Sequence, residues 1–397
     1  MPVAGVEQAT VEAGIRYPNR RDLVAIRFAE GTQAAAVFTR NAFCAAPVIV
    51  ARESLLQTAH QPRLLLINTG NANAGTGESG LTAARESCRA AAEQFGFSAN
   101  EVLPFSTGVI GEDLPVDRIV NALPALADGF DTAGWEAAGW GILTTDTKPK
   151  VASREFSAGD KTYALTGIAK GAGMLRPNMA TMLAFLATDA PVAQPVLDTL
   201  LRRAVDQSFH RITVDGDTST NDAVVLAATG AQGGSTCDAS DQPLALALGE
   251  ALDALTLELA QGLVKDGEGV TKLVQLDVRQ GATSDECLQV AFAVAHSPLV
   301  KTALFAADPN WGRVLAAIGR AGLEQLDVSK VAIAVDGQPI ARAGCRAADY
   351  DEDAVAAVMS GESFCISIDL GRGKANESVW TSDMSYDYVR INAEYRS

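Results

Sequence analysis

Histidine and cysteine are scarce in this chain of 397 residues, which holds only His60, His210 and His296 and six cysteines. The cysteines, Cys44, Cys88, Cys237, Cys287, Cys345 and Cys365, include no CxxC pair, so neither a disulfide framework nor a zinc site is signalled. They read as buried thiols of a reducing compartment. Basic residues are also in deficit, 32 Lys and Arg against 48 Asp and Glu, for a net charge of −16 with no long acidic run. That balance opposes binding to phosphate backbones or anionic lipid, so neither nucleic acid nor a membrane is an expected partner. No apolar run approaches the roughly 18 residues of a membrane span. The opening Met1-Pro-Val-Ala-Gly-Val-Glu7 has no basic stretch leading into an apolar one, which points to a cytoplasmic protein. Internal repeats and low-complexity linkers are missing too.

What is present is an ordinary globular composition, 48% hydrophobic and 20% charged, with length enough for two or three domains. Short β-rich runs, Leu23–Phe28, Ala35–Phe38 and Pro47–Val50, read as consecutive strands, and Leu64–Ile67 as another. The last of these enters Asn68-Thr-Gly-Asn-Ala-Asn-Ala-Gly-Thr-Gly77, whose small residues and amides suit a turn or a close backbone approach. It has neither GKS/GKT nor GxGxxG spacing, so no phosphate loop or dinucleotide fingerprint is present. Leu81, Ala84, Cys88, Ala91 and Phe95 share one helical face closed by Gly96, and Val116, Ile119, Val120 and Leu123 mark a second helix opened by Pro115. Further on, Val196–Val205 and Leu252–Leu263 carry helical stripes, Arg211–Asp217 reads as strand into turn, and Ala223–Ala228 as a strand. From about residue 276 the pattern changes to a smaller unit. A helix begins at Thr283 with Glu286 completing a capping box, and the strand Val331–Val335 turns at Asp336-Gly337.

The chain is organised around Lys170-Gly-Ala-Gly-Met-Leu-Arg-Pro-Asn-Met-Ala-Thr181, which leads into the apolar run Met182–Ala187. Glycines and a proline set up an irregular loop, and Thr181 stands where loop becomes strand. The small Ala180 leaves room for the Thr181 hydroxyl to attack the preceding carbonyl, an N-to-O acyl shift that would cut the chain there. A freed α-amine, with a reference pKa of about 7.7 to 8.0, can act as base for its own hydroxyl, so one residue supplies nucleophile and base. On spacing alone, a buried strand with Thr181 as β-branched filler accounts for the same residues. Elsewhere, Thr107-Gly108 within Pro104–Gly111 can offer a hydroxyl and a backbone N–H to a developing oxyanion. The polar cluster Leu143–Pro149 and the acidic turn Lys265-Asp-Gly-Glu-Gly-Val-Thr-Lys272 fit capping and turn chemistry as readily as binding.

Asn178-Met-Ala-Thr181-Met, preceded by Lys170-Gly-Ala-Gly-Met174, closely resembles the self-cleavage segment of the ornithine acetyltransferase family. The resemblance extends through Asp266-Gly-Glu-Gly269, Asp308-Pro-Asn-Trp-Gly-Arg313 and the aromatic C-terminus Trp380–Ser397, so it covers essentially the whole chain. It implies that Ala180–Thr181 is the cleavage site, giving an alpha chain 1–180 and a beta chain 181–397, and that the two assemble as an α₂β₂ unit. It assigns Thr181 as nucleophile and Thr107 and Gly108 as the oxyanion hole. Thr147, Lys170, Thr181, Glu268, Asn392 and Ser397 become substrate contacts. The implied reaction moves acetyl from N²-acetyl-L-ornithine to L-glutamate through a threonine ester, with no metal or organic cofactor; acetyl-CoA as a further donor is left open by the residues.

The expected fold is α+β. Strands from both sides of the 180/181 junction share a mixed central sheet layered with helices; residues 1–275 make a catalytic domain, and 276–397 a smaller α+β unit whose tail returns to the active site. Two other functions fit the same residues. An N-terminal-nucleophile aminopeptidase or amidase would hydrolyse the acyl-enzyme, and a non-catalytic amino-acid-binding relative would leave the chain uncut.

Overall fold

Continuous apolar runs such as Leu183–Thr188 and Ala223–Ala228 are buried on both faces, whereas Ser363–Asp369 alternates between buried and less buried residues, and the layers follow from what covers each face. The computed structural model describes residues 1–176 and 182–394, so Ala180, Thr181 and Ser397 lie outside the described residues. The chain divides into two compact units, residues 1–210 with 217–263, and residues 211–216 with 264–397.

In the first unit the strands are β1 (Val6–Val11), β2 (Leu23–Phe28), β3 (Gln33–Phe38), β4 (Leu64–Asn71), β5 (Val102–Val109), β6 (Lys150–Ala158), β7 (Lys161–Lys170), β8 (Leu183–Thr188) and β9 (Ala223–Ala228). The helices are α1 (Ala46–Gln57), α2 (Gly77–Phe95), α3 (Val116–Ala127), α4 (Trp135–Gly141), α5 (Gln194–Gln207) and α6 (Pro243–Lys265), the unit boundary falling inside α6. They build two mixed sheets, β1-β2-β4-β5 and β3-β9-β8-β7-β6, with β4/β5 and β8/β9 the parallel pairs. Val24, Ile26, Leu65, Ile67, Leu103 and Phe105 of the first sheet share one core with Leu183, Phe185, Val225 and Ala227 of the second. Phe105 and Phe185 meet edge to face at 5.0 Å between centroids. Each such fully buried side chain contributes roughly 1.5–3 kcal/mol of burial. The alternate residues Leu23, Ala25, Leu64, Leu66 and Val102 face the helical layer that supplies Ala84, Cys88, Ile119 and Leu123. On the outer face of the second sheet Gly167 lies against Leu255 and Leu259 of α6.

The second unit has β10 (Leu273–Gly281), β11 (Ala332–Val335), β12 (Gln338–Arg342), β13 (Cys345–Arg346), β14 (Ser363–Asp369) and β15 (Ala375–Ser382), with α7 (Ser284–Ala295), α8 (Pro298–Phe305), α9 (Trp311–Gly319), α10 (Glu352–Met359) and α11 (Tyr386–Ala393). Its mixed sheet runs β13-β12-β11-β14-β10-β15. Val274, Leu276, Val278, Phe364, Ile366 and Ile368 bury one face under residues of α7 to α10. The Thr283 hydroxyl accepts from Glu286 N at 3.2 Å, as its capping position requires.

Mixed sheets layered with helices are therefore observed, but among the described residues there are three of them, and the single central sheet expected from sequence is two facing sheets. The second of these takes β3, β6 and β7 from before residue 181 and β8 and β9 from after it. Two local expectations are also corrected. Pro47–Val50 is not a strand: Pro47 sits in the first turn of α1, where its missing N–H is harmless, and burial of Val48, Val50, Ala51 and Leu55 outweighs the β-branched character of Val48, Ile49 and Val50. Arg211–Asp217 holds the end of a 3₁₀ turn and one isolated bridge, Ile212 to Trp380, in place of a strand. Of the cysteines, only Cys88, Cys237 and Cys287 are buried; Cys345 is exposed at the sheet edge. Among the described residues no single helix is long and apolar enough to cross a membrane.

Candidate active site

Thr107 and Gly108 lie near the end of β5, where the parallel pairing with β4 slips at Gly70/Asn71. Such an irregularity re-aims the backbone. Gly108 has φ +137°, and a β-carbon there would stand 2.3 Å from Gly70 C and 2.5 Å from Asn71 N, so only glycine allows the two strands to approach this closely. Amides hold the slipped strands in place. Asn68 accepts from the Ser106 hydroxyl at 2.6 Å and donates to Asn71 O at 2.9 Å. Asn221 donates to Ala72 O at 2.6 Å and Ser106 O at 2.9 Å.

Lys170, the last residue of β7, is brought to the half-buried Thr107. Its ammonium donates to the Thr107 hydroxyl at 3.0 Å and to the Thr144 hydroxyl at 2.8 Å. Behind it stands Asp146, with a fully buried side chain 3.9 Å from Lys170 and 2.5 Å from Lys150. Burial would raise the Asp146 carboxyl; the nearby charges of Lys170 and Lys150, and the N–H of Gly171, hold it below its ordinary value. Thr147, three residues on from Thr144, is exposed.

The junction itself is described only from Met182 onward. Met182 N donates to Asp222 Oδ1 at 2.6 Å and Met182 O accepts from Ala223 N at 3.1 Å, so the residue after Thr181 enters β8 already bonded on both sides.

Glu268 and Asn392 belong to the second unit. Glu268 is buried in the turn between α6 and β10, and its carboxylate accepts from the Asn392 amide at 2.9 Å. The turn is clamped by α11, which Ser385 caps. The Ser385 hydroxyl donates to Gly269 O at 2.6 Å, and a β-carbon on Gly269, at φ +67°, would stand 2.3 Å from Tyr388 N. Asp383 completes the clamp by accepting from Thr271 N at 2.9 Å, from the Thr271 hydroxyl at 2.5 Å and from Lys272 N at 3.0 Å.

Thus Thr107, Gly108 and Lys170 are gathered in one unit and Glu268 with Asn392 in the other. Asp146, Thr144, Asn221, Asp222 and Asp383 escaped the sequence reading. Thr144 and Asp146 fall in the polar cluster 143–149, whose residue types suit a turn equally well, and Asn221, Asp222 and Asp383 are polar residues with no motif of their own. Asp308–Arg313, prominent as a motif, forms the joint between α8 and α9, where Asn310 caps α9 by accepting from Arg313 N at 3.1 Å and Arg313 donates to Leu299 O at 2.8 Å. Among the described residues no group of three or more His, Cys, Asp or Glu could hold a metal ion.

The ArgJ family model matches residues 7–397. Over 396 residues the chain is 54% identical to the arginine biosynthesis bifunctional protein ArgJ of Pseudomonas syringae pv. tomato, an alignment covering 100% of this chain and 97% of that one. The crystal structure of the arginine biosynthesis bifunctional protein ArgJ from Bacillus halodurans is 36% identical, with a TM-score of 0.50, and covers 52% of this chain and 96% of that chain. Ornithine acetyltransferase from Mycobacterium tuberculosis, crystallised with ornithine, is 32% identical with a TM-score of 0.40, covering 45% of this chain and 93% of that chain.

Proposed function

The chain belongs to the ArgJ family and is an ornithine acetyltransferase of arginine biosynthesis, and on that premise we propose that it works by ping-pong acyl transfer through Thr181, made N-terminal by cleavage after Ala180. The Thr181 hydroxyl oxygen attacks the acetyl carbon of N²-acetyl-L-ornithine while the Thr181 amine takes the hydroxyl proton. Collapse of the tetrahedral intermediate breaks the C–N bond, and the amine returns the proton to departing ornithine. L-Glutamate then attacks the ester through its α-amine and leaves as N-acetylglutamate. Acetyl-CoA reaches the same ester as a second donor, with its thiol as leaving group.

Thr107 and Gly108 stabilise the oxyanion of both half-reactions. Thr147, Lys170, Glu268, Asn392 and Ser397 hold the amino acid, Lys170 at the acyl carbonyl and Glu268 at the α-nitrogen, an amide in the acetylated donor and an amine in departing ornithine and arriving glutamate. The mature protein is an α₂β₂ assembly of 1–180 and 181–397, working in the cytoplasm. That 96% of the Bacillus halodurans chain is accounted for by 52% of this one supports a protein built from two shorter chains.

The observation that carries the reading is the Lys170 ammonium on the Thr107 hydroxyl, beside a glycine that only a close backbone approach explains. A cationic donor set on a hydroxyl at a strand irregularity is what a developing oxyanion requires. Product analysis tests it. With acetylornithine and glutamate, ornithine and N-acetylglutamate should form in equal amounts, and without glutamate, release should stop after one acetyl group per site. Continuous release of acetate without glutamate would make the protein a hydrolase of the aminopeptidase or amidase type.

A further inference from the structure

Asp146 lies between two buried lysines of the first unit, and it holds both the side chain and the backbone of the 170–171 segment. Oδ1 accepts from Lys150 Nζ at 2.5 Å and from Gly171 N at 2.9 Å; Oδ2 accepts from Thr144 N at 3.2 Å and stands 3.9 Å from Lys170 Nζ. The side chains are 0% exposed for Asp146, 4% for Lys150 and 6% for Lys170. A lysine this far from solvent and without a counter-charge favours its neutral amine, which donates weakly. Asp146 removes that tendency and fixes where the ammonium points.

The consequence falls on Thr107. A hydroxyl that accepts from an ammonium has a lone pair occupied on that side, and its own hydrogen is directed elsewhere. The cation also polarises the O–H bond, so the hydrogen it presents is a stronger donor than that of an isolated threonine. We propose that Asp146 is a positioning residue for acetyl transfer: it keeps Lys170 charged and seated on the Thr107 hydroxyl, and so sets the donor strength of the oxyanion hole through a relay Asp146–Lys170–Thr107. Thr144, whose hydroxyl accepts a second hydrogen bond from Lys170 at 2.8 Å and whose N–H donates to Asp146, closes the relay into a ring that resists rotation of the lysine. The inference rests on Thr107 being the oxyanion donor.

A double-mutant cycle of Asp146→Asn with Thr107→Val, on self-processed full-length enzyme and with kcat normalised to acetylated subunits, tests it. Thr107→Val alone should lower kcat about 10²-fold. Asp146→Asn alone should lower kcat about tenfold with KM nearly unchanged, and should cost little further in the Thr107→Val background, because the two act as one unit. Asp146→Glu, which keeps the charge at a shifted position, should recover part of the rate. If Asp146→Asn is not obtained folded, the cycle is run with Asp146→Glu and the same non-additivity is expected. Losses that multiply, or a loss confined to KM, would overturn this inference while leaving the acetyltransfer reading intact. A wild-type kcat for Thr107→Val would overturn the inference together with the assignment of Thr107 to the oxyanion hole.

Discussion

Lys170 and Glu268 are both buried, at 5% and 7% exposure, yet the fold treats their charges in opposite ways. Lys170 has its counter-charge built in, Asp146 at 3.9 Å, and donates hydrogen bonds to two neutral hydroxyls. Glu268 has a neutral partner: its carboxylate accepts from the Asn392 amide, and among the described residues it forms no ion pair. A buried carboxylate left without a cation is costly. The charge of Lys170 is balanced by a neighbouring carboxylate, whereas Glu268 has no counter-charge among the described residues, which is why the proposed function gives it a cationic substrate group. On the proposed reading that group is the α-ammonium of departing ornithine or arriving glutamate, a nitrogen that is a neutral amide in N²-acetyl-L-ornithine. Ornithine and glutamate differ at the side-chain end, amine against carboxylate, so a rigid ion pair there would suit only one of them; the α-amino end is what they share.

The contrast is broken most sharply by removing each charge in turn. Lys170→Met should reduce kcat about 10²-fold or more with little change in KM, because it removes support used in the transition state. Glu268→Gln should raise KM and lower kcat/KM by about 10- to 100-fold, the value of one charge-assisted contact. The Glu268 loss should be similar for deacetylation of acetylornithine and for transfer to glutamate. Stopped-flow measurement of the two half-reactions decides the point. If only the acetylornithine half slowed, Glu268 would be reading the ornithine side chain.

A third buried lysine gives the smaller effect. Burial draws Lys301 down from its ordinary 10.5 to about 8, against the opposing pull of Asp383 and Asp215. Its ammonium donates to Ser382 O, and to the Ser382 and Thr381 hydroxyls at 3.2 and 3.3 Å. Above its folded value the native protein has released a proton that the unfolded chain still holds, so stability rises with pH between about 8 and 10. Below about 8 the full penalty is present. Melting temperatures across that range should climb more steeply for the wild type than for Lys301→Met; parallel curves would mean that Lys301 does not titrate there.

These differences also mark what the sequence can and cannot convey. Strand β8, helix α2 with its Gly96 cap and the Thr283 capping position follow from local periodicity and turn chemistry, and they are where the spacing puts them. Thr107 and Lys170 are legible only as members of common types, a Ser-Thr-Gly turn and a lysine; what gives them meaning is a contact 63 residues apart in the chain. Asp146 and Asp222 look like turn formers because a carboxylate's partners, here Lys170 and Met182 N, come from distant strands. Pro47–Val50 misleads for a related reason: four residues with two valines suit a strand, and only the burial of α1 settles them as helix. The two facing sheets are likewise a property of which faces meet, and period-two patterning gives the faces without their partners.

The central claim, that Thr181 carries the acetyl group, is tested most directly by intact mass spectrometry of the purified protein, quenched after mixing with N²-acetyl-L-ornithine in the absence of glutamate. The account predicts two fragments, of 180 and 397 − 180 = 217 residues, the second heavier by one acetyl group that maps to Thr181 and disappears when glutamate is added. A single uncut chain in active enzyme, or a 217-residue fragment that stays unacetylated while acetylornithine is consumed, would contradict it.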